Sequence, residues 1–168
     1  MSSAVGTELK ATLGETGEEC KEKREVMKGL SHALADTFTL YPKTHGYHWN
    51  VTGPMFHTLH AMFEEQYTEL WGACDALAER IRALGFAAPC SYRELSGLAY
   101  VREADGVPAA REMIEDLVAD HVTAARTARH ALSLARSAVD APTEDLLTRR
   151  IEAHERAAWM LRSLSAEE

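Results

Sequence analysis

The spacing of apolar residues along the chain predicts four long helices and one short helix. Apolar positions recur every three or four residues over four stretches, which is the period of a helix that packs along one side. These stretches run from about residue 18 to 48, 56 to 84, 108 to 137 and 142 to 164. Residues 92–98, in the longer central connection, form a further short helical segment. Segments rich in Val, Ile and Thr with a period of two are absent, so we expect an all-α four-helix bundle.

Glycine and proline mark the ends of the predicted helices. The segment 50–54, which ends in Gly-Pro, separates the first two, Gly85 ends the second, and Pro108 lies near the first turn of the third. Pro42 lies inside the first, where a kink or local irregularity is expected. Residues 1–17 are rich in Ser, Thr, Gly and Glu without helical period, so they predict a flexible N-terminal tail before a bundle spanning 18–168.

Composition excludes several classes of protein. The net charge of −8 argues against a protein that holds nucleic acid mainly through phosphate contacts, and it suits one that handles cations. No apolar run reaches the roughly 20 residues that span a bilayer, and the first residues lack the pattern of a secretory signal. We therefore expect a cytoplasmic protein without a membrane partner. Three cysteines without a Cys-x-x-Cys pair favour reduced, packed side chains over disulfides or a zinc site.

One stripe of the second long helix carries the candidate chemistry. His60, Glu64, Asp75 and Glu79 fall at about 0°, 40°, 60° and 100° around the helix axis, and the apolar residues centre about 200° away. A solvated polar face is the simplest alternative. However, Trp71 lies on the same stripe, where a tryptophan fits a contact between helices better than an exposed face. We therefore interpret the stripe as an interface.

Distances along this helix require a second chain for a shared metal ion. Glu64 and Asp75 are separated by about 16 Å at about 1.5 Å per residue, whereas metal–ligand bonds are about 2.0–2.6 Å. A second copy that runs antiparallel across a two-fold axis near residues 69 and 70 would bring Asp75 and Glu79 of one chain opposite His60 and Glu64 of the other. Two identical sites per dimer would result.

His48 is a fifth candidate ligand. It lies at the end of the first helix, and the turn after it makes the first two helices antiparallel neighbours, which places His48 beside the start of the second. Imidazoles combined with several carboxylates suit iron or manganese better than a structural zinc ion. The chain contains no Glu-x-x-His sequence, which counts against a di-iron site inside a single bundle.

These residues and their neighbours resemble a known family. The resemblance is strongest over about residues 40–85, and it rests on Tyr47-His48-Trp49-Asn50-Val51, Gly53-Pro54, Phe56, Leu59-His60, Phe63-Glu64, Tyr67, Asp75, Ala78-Glu79-Arg80-Ile81 and Leu84-Gly85. This pattern is similar to that of the Dps family, the bacterial DNA-protection-during-starvation mini-ferritins.

The resemblance implies a ferritin-like hollow dodecamer with ferroxidase sites between two-fold-related subunits. By position, His48, His60 and Glu64 would come from one subunit, and Asp75 and Glu79 from the other. The family oxidises Fe(II), usually with hydrogen peroxide, and stores ferric mineral, which protects against oxidative damage. Dioxygen is the other candidate oxidant. The family commonly has aspartate where Glu64 stands, so metal spacing or occupancy at this site is expected to differ.

Other candidate residues have two interpretations each. Trp49 either packs or intercepts a stray oxidising equivalent, and His57 is either a surface residue or an accessory ligand. Asp140 and Asp145 favour the start of the fourth helix through its dipole, or line the pore through which iron enters, as acids of this region do in the family. The other histidines are interpreted as surface or packing residues, namely His32, His45, His121, His130 and His154.

The tail predicts little or no direct DNA binding. Residues 1–28 carry five basic and six acidic side chains, a balance of −1, whereas DNA-binding members of the family often have a lysine-rich tail. The leading hypothesis is therefore an iron-oxidising storage enzyme. A DNA-compacting nucleoid protein with weak ferroxidase activity is the alternative within the family. A helical dimer module with a bare interface is the alternative outside it, which the cost of burying unpaired charges disfavours.

Overall fold

The computed structural model describes residues 17–165, and they form five helices without a strand. The helices are α1 (Gly17–Asn50), α2 (Phe56–Ala83), α3 (Tyr92–Leu98), α4 (Ala110–Ser137) and α5 (Ala141–Ser165). This confirms the predicted all-α four-helix bundle with a short helix in the central connection. Gly17, which was assigned to the tail, begins α1, and the rest of that predicted tail lies outside the described residues.

The ends of the helices follow local hydrogen bonding. α1 continues through Pro42, so no break occurs there. Asn50 Nδ2 donates to the Gly46 carbonyl at 2.8 Å in the last turn, and Gly53 then turns the chain with φ of 101°. α4 begins two residues after Pro108, where Glu112 Oε2 accepts a hydrogen bond from the backbone N–H of Ala109 at 2.9 Å. An acid in the first turn that reaches back in this way satisfies an otherwise free donor.

Two apolar clusters form the core of the bundle. One contains Leu30, Leu77 and Leu147, and the other contains Leu40, Phe63, Leu117 and Leu161, all essentially inaccessible. Each such side chain contributes roughly 1.5–3 kcal/mol on burial. α1 packs closely on α2 and α4, and α4 packs on α5, whereas α2 and α5 touch only lightly. The apolar face of α2 is thereby turned inward, and its polar stripe is turned outward.

Asp36 anchors the central connection to the bundle. This carboxylate is fully buried in α1, and its Oδ1 accepts hydrogen bonds from the backbone N–H groups of Tyr100 and Val101 at 2.6 and 2.9 Å. Its Oδ2 accepts from Thr127 Oγ1 of α4 at 2.6 Å. A buried carboxylate needs such partners, because an unpaired buried charge is costly. None of the helices in the described range is both long and apolar enough to cross a membrane.

Candidate metal centre

The predicted stripe of α2 lies on the outside of the single chain. Glu64, Asp75 and Glu79 are exposed, and His60 is partly exposed. The residues on the opposite face of the helix, among them Leu59 and Phe63, are buried. The structure therefore supports the division of α2 into a core face and an outward acidic face, as the helical period predicted.

His48 and His60 hold each other in place. The Nδ1 atom of each ring lies 2.8 Å from the backbone carbonyl oxygen of the other residue. The two rings stack with their centroids 3.8 Å apart and their planes 17° apart. A carbonyl oxygen can only accept, so each Nδ1 must carry a proton, and Nε2 is the ring nitrogen left for a metal ion. This orientation is the one that a metal-binding histidine needs.

The last turn of α1 explains why this lock forms. Carbonyl groups at the C-terminal end of a helix have no partner within the helix. The carbonyl of His48 is one of these, and it accepts a hydrogen bond from His60 in the early part of α2. His48 itself is only 9% exposed, so its ring is fixed by packing as well.

One chain alone does not complete a metal site with these residues. Among residues 17–165, no three His, Cys, Asp or Glu side chains lie close enough together to hold a metal ion. Two imidazoles therefore meet at the junction of α1 and α2, while Asp75 and Glu79 lie further along α2. A complete site built from all five residues requires a second chain.

A strip of aromatic rings, two of them exposed and three half-buried, adjoins the two histidines. We call Tyr41, His45, Trp49, Tyr67 and Trp71 the aromatic strip. Within it, His45 stacks on Tyr67 with centroids 3.9 Å apart, and Tyr41 contacts Trp71 at 5.3 Å. Trp49 and Trp71 are 67% and 61% exposed in the single chain. Contiguous exposed aromatic surface of this kind is typical of protein interfaces.

His45 is the member of this strip that the sequence analysis treated as an ordinary surface or packing residue. Burial lowers its pKa, and repulsion from His48 adds to that effect. The spacing of Tyr41, His45 and Trp49 at four-residue intervals on one face of α1 was the signal that would have identified the strip.

The remaining predicted residues have distinct surroundings. His57 is exposed in the first turn of α2. Asp140 accepts hydrogen bonds from Arg80 Nη2 at 2.6 Å and from Thr143, so it joins the start of α5 to the end of α2. Burial raises the pKa of Asp140, but the hydrogen bonds from Thr143 and Arg80 outweigh that effect and lower it overall. Asp145 is exposed and pairs with Arg149 at 2.9 Å.

Comparisons with known proteins identify the family of this chain. Residues 27–167 match the ferritin-like domain of the Ferritin family. The DNA protection during starvation protein of Brevibacillus brevis is 38% identical over 79% of this chain and 89% of its own length. The structure of Dps from Thermosynechococcus elongatus superposes with a TM-score of 0.87 at 29% identity, covering 90% of this chain and 97% of that one.

A third comparison points to the same family. The structure of Dps from Vibrio cholerae, described as a member of a broad superfamily of ferritin-like diiron-carboxylate proteins, superposes with a TM-score of 0.85 at 30% identity. It covers 98% of this chain and all of the other. The family match, the sequence identity and the shared fold agree over most of the chain, and the protein is therefore a member of the Dps family of ferritin-like proteins.

Proposed function

We propose that this protein oxidises Fe(II) at sites shared between two copies of the chain and stores the ferric product in a hollow dodecamer. Hydrogen peroxide is the preferred oxidant in this proposal, with dioxygen as the second candidate, and the cell is thereby protected from oxidative damage. The observation that carries the proposal is the mutual lock of His48 and His60, which leaves both Nε2 atoms available beside an outward acidic stripe.

Iron is the substrate in this proposal, and five side chains bind it. His48, His60 and Glu64 come from one subunit, and Asp75 and Glu79 come from the other. Carboxylates favour Fe(III) over Fe(II) because of their negative charge, and imidazoles favour iron over magnesium or calcium. Two Fe(II) ions give up one electron each, and these two electrons reduce one peroxide molecule to two waters with uptake of two protons.

The aromatic strip supports the assembly that this site needs. An antiparallel second copy of α2 would cover Trp71 near the two-fold axis and bring the acidic ends of the two helices opposite the histidines. Removing such large rings from water would stabilise the dimer. Trp49 lies beside this site, with its ring centroid 4.3 Å from that of His45. It remains the candidate to intercept an oxidising equivalent.

Two further predicted roles belong to this proposal. Asp140 and Asp145 line the pore through which iron enters the dodecamer, and His57 acts as an accessory ligand. Asp145 is the more available of the two acids, because its pair with Arg149 is exposed, whereas Asp140 is largely buried and binds Arg80 and Thr143. The cytoplasm is the proposed location, because ferrous iron and peroxide meet there.

The test is Fe(II) oxidation by a double variant, His60→Ala with Asp75→Asn. Both residues are outside the core, so the particle mass should stay unchanged. Oxidation should slow by at least about 100-fold, because loss of a group that merely orients a metal ligand already costs up to about that factor, and this variant loses two ligands. The matched control removes an exposed histidine and an exposed acid elsewhere, His130→Ala with Asp105→Asn. Oxidation at the wild-type rate in the first variant would refute the site assignment.

DNA compaction is the second candidate function, because relatives of this chain carry DNA protection in their names. Charge argues against direct DNA binding, since twelve copies with a net charge of −8 each would together carry −96 before iron is bound. Such a particle repels phosphate backbones. We therefore expect no retained complex in a gel shift at low salt. A retained complex would favour the nucleoid protein instead.

A further inference from the structure

A groove between α1 and α4 is a second candidate site, away from the residues proposed to bind iron. Its volume of about 600 Å³ lies within the roughly 300–1,000 Å³ that is usual for small-molecule sites. Gly29 of α1 is buried at its base, where a Cβ atom would come within 3.0 Å of the Ala131 Cα atom of α4. Lys28 and Arg126, on the two sides of the groove, are exposed. The helices are therefore in close contact at the base, and the groove opens to the surface of the chain.

Tyr100 gives the groove a rigid aromatic surface. Its backbone N–H group donates to Asp36 Oδ1 at 2.6 Å, and Asp36 Oδ2 accepts from Thr127 Oγ1, which belongs to α4 and also lines the groove. The Tyr100 ring stacks on His32 with the centroids 5.2 Å apart and the planes 20° apart. Tyr100 is nevertheless 64% exposed. Its backbone and one face of its ring are thus held in place, and the other face is open for stacking by a planar ring.

Hydrogen-bond donors stand on both sides of the groove. Lys28 lies on α1, and Arg126 and His130 follow one helical turn apart on α4. Within the described part of the chain Arg126 forms no ion pair, and its Nη2 donates to the neutral hydroxyl of Thr123 at 3.4 Å. Lys28 donates to Glu25 at 2.7 Å, in an exposed pair that leaves the ammonium two further N–H donors. Donors from both helices are therefore available to one anion.

The charge of the groove is opposite in sign to that of the whole chain. With the histidines neutral, its lining contains two cations, Lys28 and Arg126, and one anion, Glu25, which gives a net charge of +1. The chain as a whole carries −8. Exposed charges further apart than a Debye length of about 8 Å are largely screened at physiological ionic strength. A small anion inside the groove therefore meets locally favourable charge, whereas a long polyanion would extend over the rest of a negatively charged particle.

The stacking surface and the donors together indicate the chemistry of a ligand. A planar ring fits the open face of Tyr100, and an anionic group fits between the donors of the two helices. A phosphate group accepts hydrogen bonds from several donors at once, and a guanidinium group binds two of its oxygens side by side. A carboxylate has only two oxygens, so it would leave more of these donors without a partner. A ring joined to a phosphate group uses the whole set.

We propose that the α1–α4 groove binds a planar ring that carries a phosphate group, as in a free nucleoside monophosphate. The base stacks on Tyr100, as bases do on the aromatic side chains of proteins that bind single strands. The phosphate lies between Lys28 and Arg126, and a ring N–H group of His130 is a further donor. This binding goes beyond the proposed iron oxidation, because it needs no iron and none of the five proposed iron ligands.

Calorimetric titration of the metal-free assembled protein with adenosine monophosphate (AMP) tests the proposal. We expect saturable binding, with adenosine and inorganic phosphate each bound at least about tenfold more weakly, because one lacks the charge and the other lacks the ring. Tyr100→Leu and Arg126→Gln should each weaken AMP binding by about tenfold for the same reasons. The matched controls are Tyr92→Leu and Arg93→Gln, at exposed positions of α3 outside the groove, and both should bind AMP as the wild type does.

A 5′-phosphorylated single-stranded oligonucleotide distinguishes a free nucleotide from the end of a nucleic acid strand. The oligonucleotide offers the same base and phosphate, but the rest of it extends beyond the groove over a negatively charged particle. It should therefore bind more weakly than AMP. Binding at least as tight as that of AMP would overturn the free nucleotide as the ligand and favour nucleic acid.

Two further outcomes would overturn the proposal. An absence of saturable AMP binding would mean that the groove holds water or is covered by another subunit. AMP binding that is unchanged in both Tyr100→Leu and Arg126→Gln, with unchanged particle mass, would place the nucleotide elsewhere on the protein. Because the titration uses no iron, either result leaves the proposed iron oxidation untouched, and failure of iron oxidation leaves this site untouched.

Discussion

The buried pair His121 and His154 predicts that the protein loses stability in mild acid. Burial lowers the pKa of both imidazoles, and the nearby charge of Arg150 lowers it further, so that His121 titrates at about 3 and His154 well below its usual range. In the unfolded chain both titrate near 6.5. Below pH 6.5 the unfolded chain therefore takes up protons that the folded chain does not, and folding becomes less favourable as the pH falls.

The size of the effect follows from these values. Each pKa unit corresponds to about 1.36 kcal/mol, so at pH 4.5 His121 alone lowers the free energy of unfolding by about 2.7 kcal/mol relative to pH 7. The lowered pKa of His154 adds to this loss in the same direction. Domains of this size are stable by only about 5–15 kcal/mol, so the loss is large enough to measure.

Urea unfolding followed by circular dichroism between pH 7.5 and 4.5 measures this effect. Wild type is compared with His121→Leu/His154→Leu at one fixed subunit concentration, because assembly also contributes to stability. The double variant should have a flatter dependence of unfolding free energy on pH below 6.5. The control variant His57→Leu/His130→Leu removes two exposed histidines instead. Parallel pH curves for wild type and the buried double variant would refute the reasoning.

Two further predictions concern the proposed interface and its ligands. Glu64→Asp should retain Fe(II) oxidation with altered iron affinity, because the carboxylate remains on a shorter side chain. Glu64→Gln should lose at least about tenfold in iron affinity, measured by calorimetry, because the negative charge is gone. Equal iron affinities for the two variants would contradict Glu64 as a ligand. Trp71→Glu should reduce the particle mass at low protein concentration without changing the helix content, because Trp71 is 61% exposed in the single chain and is buried only by the proposed partner. The matched control is Trp159→Glu, at another exposed tryptophan. An intact Trp71→Glu particle would contradict the proposed two-fold axis.

Features that depend on one helix at a time were predictable from the sequence. The period of α2 separated buried Leu59 and Phe63 from exposed Glu64, and the structure agrees. The short helix α3 was also predictable, because Ser91 and Glu94 stand at the spacing of a helix cap, and Ser91 Oγ accepts from the Glu94 N–H at 3.2 Å. Local chemistry sets these features, and local chemistry is what a sequence displays directly.

Features that join distant helices were not predictable. His121 and His154 were interpreted as surface or packing residues; both are buried, but the hydrogen bond between them, across 33 positions of the chain, was not predicted. The sequence did not identify Asp36 as a structural residue, although it accepts hydrogen bonds from backbone and side-chain donors that lie 64 to 91 positions away. Periodicity tells which face of a helix is buried, but it does not tell which residue of a neighbouring helix lies opposite, because that depends on the relative height of the two helices.

The His48–His60 lock has a consequence for how activity would depend on assembly. Both imidazoles are oriented within one chain, by bonds that need no partner. The carboxylates of Asp75 and Glu79 are exposed on the same helix but too far along it to join them. In the proposed site the single chain therefore supplies the oriented imidazoles, and dimerisation supplies the charge that favours Fe(III). Iron oxidation should then be lost as the dimer dissociates, while the fold of each chain, which rests on its own two apolar clusters, remains.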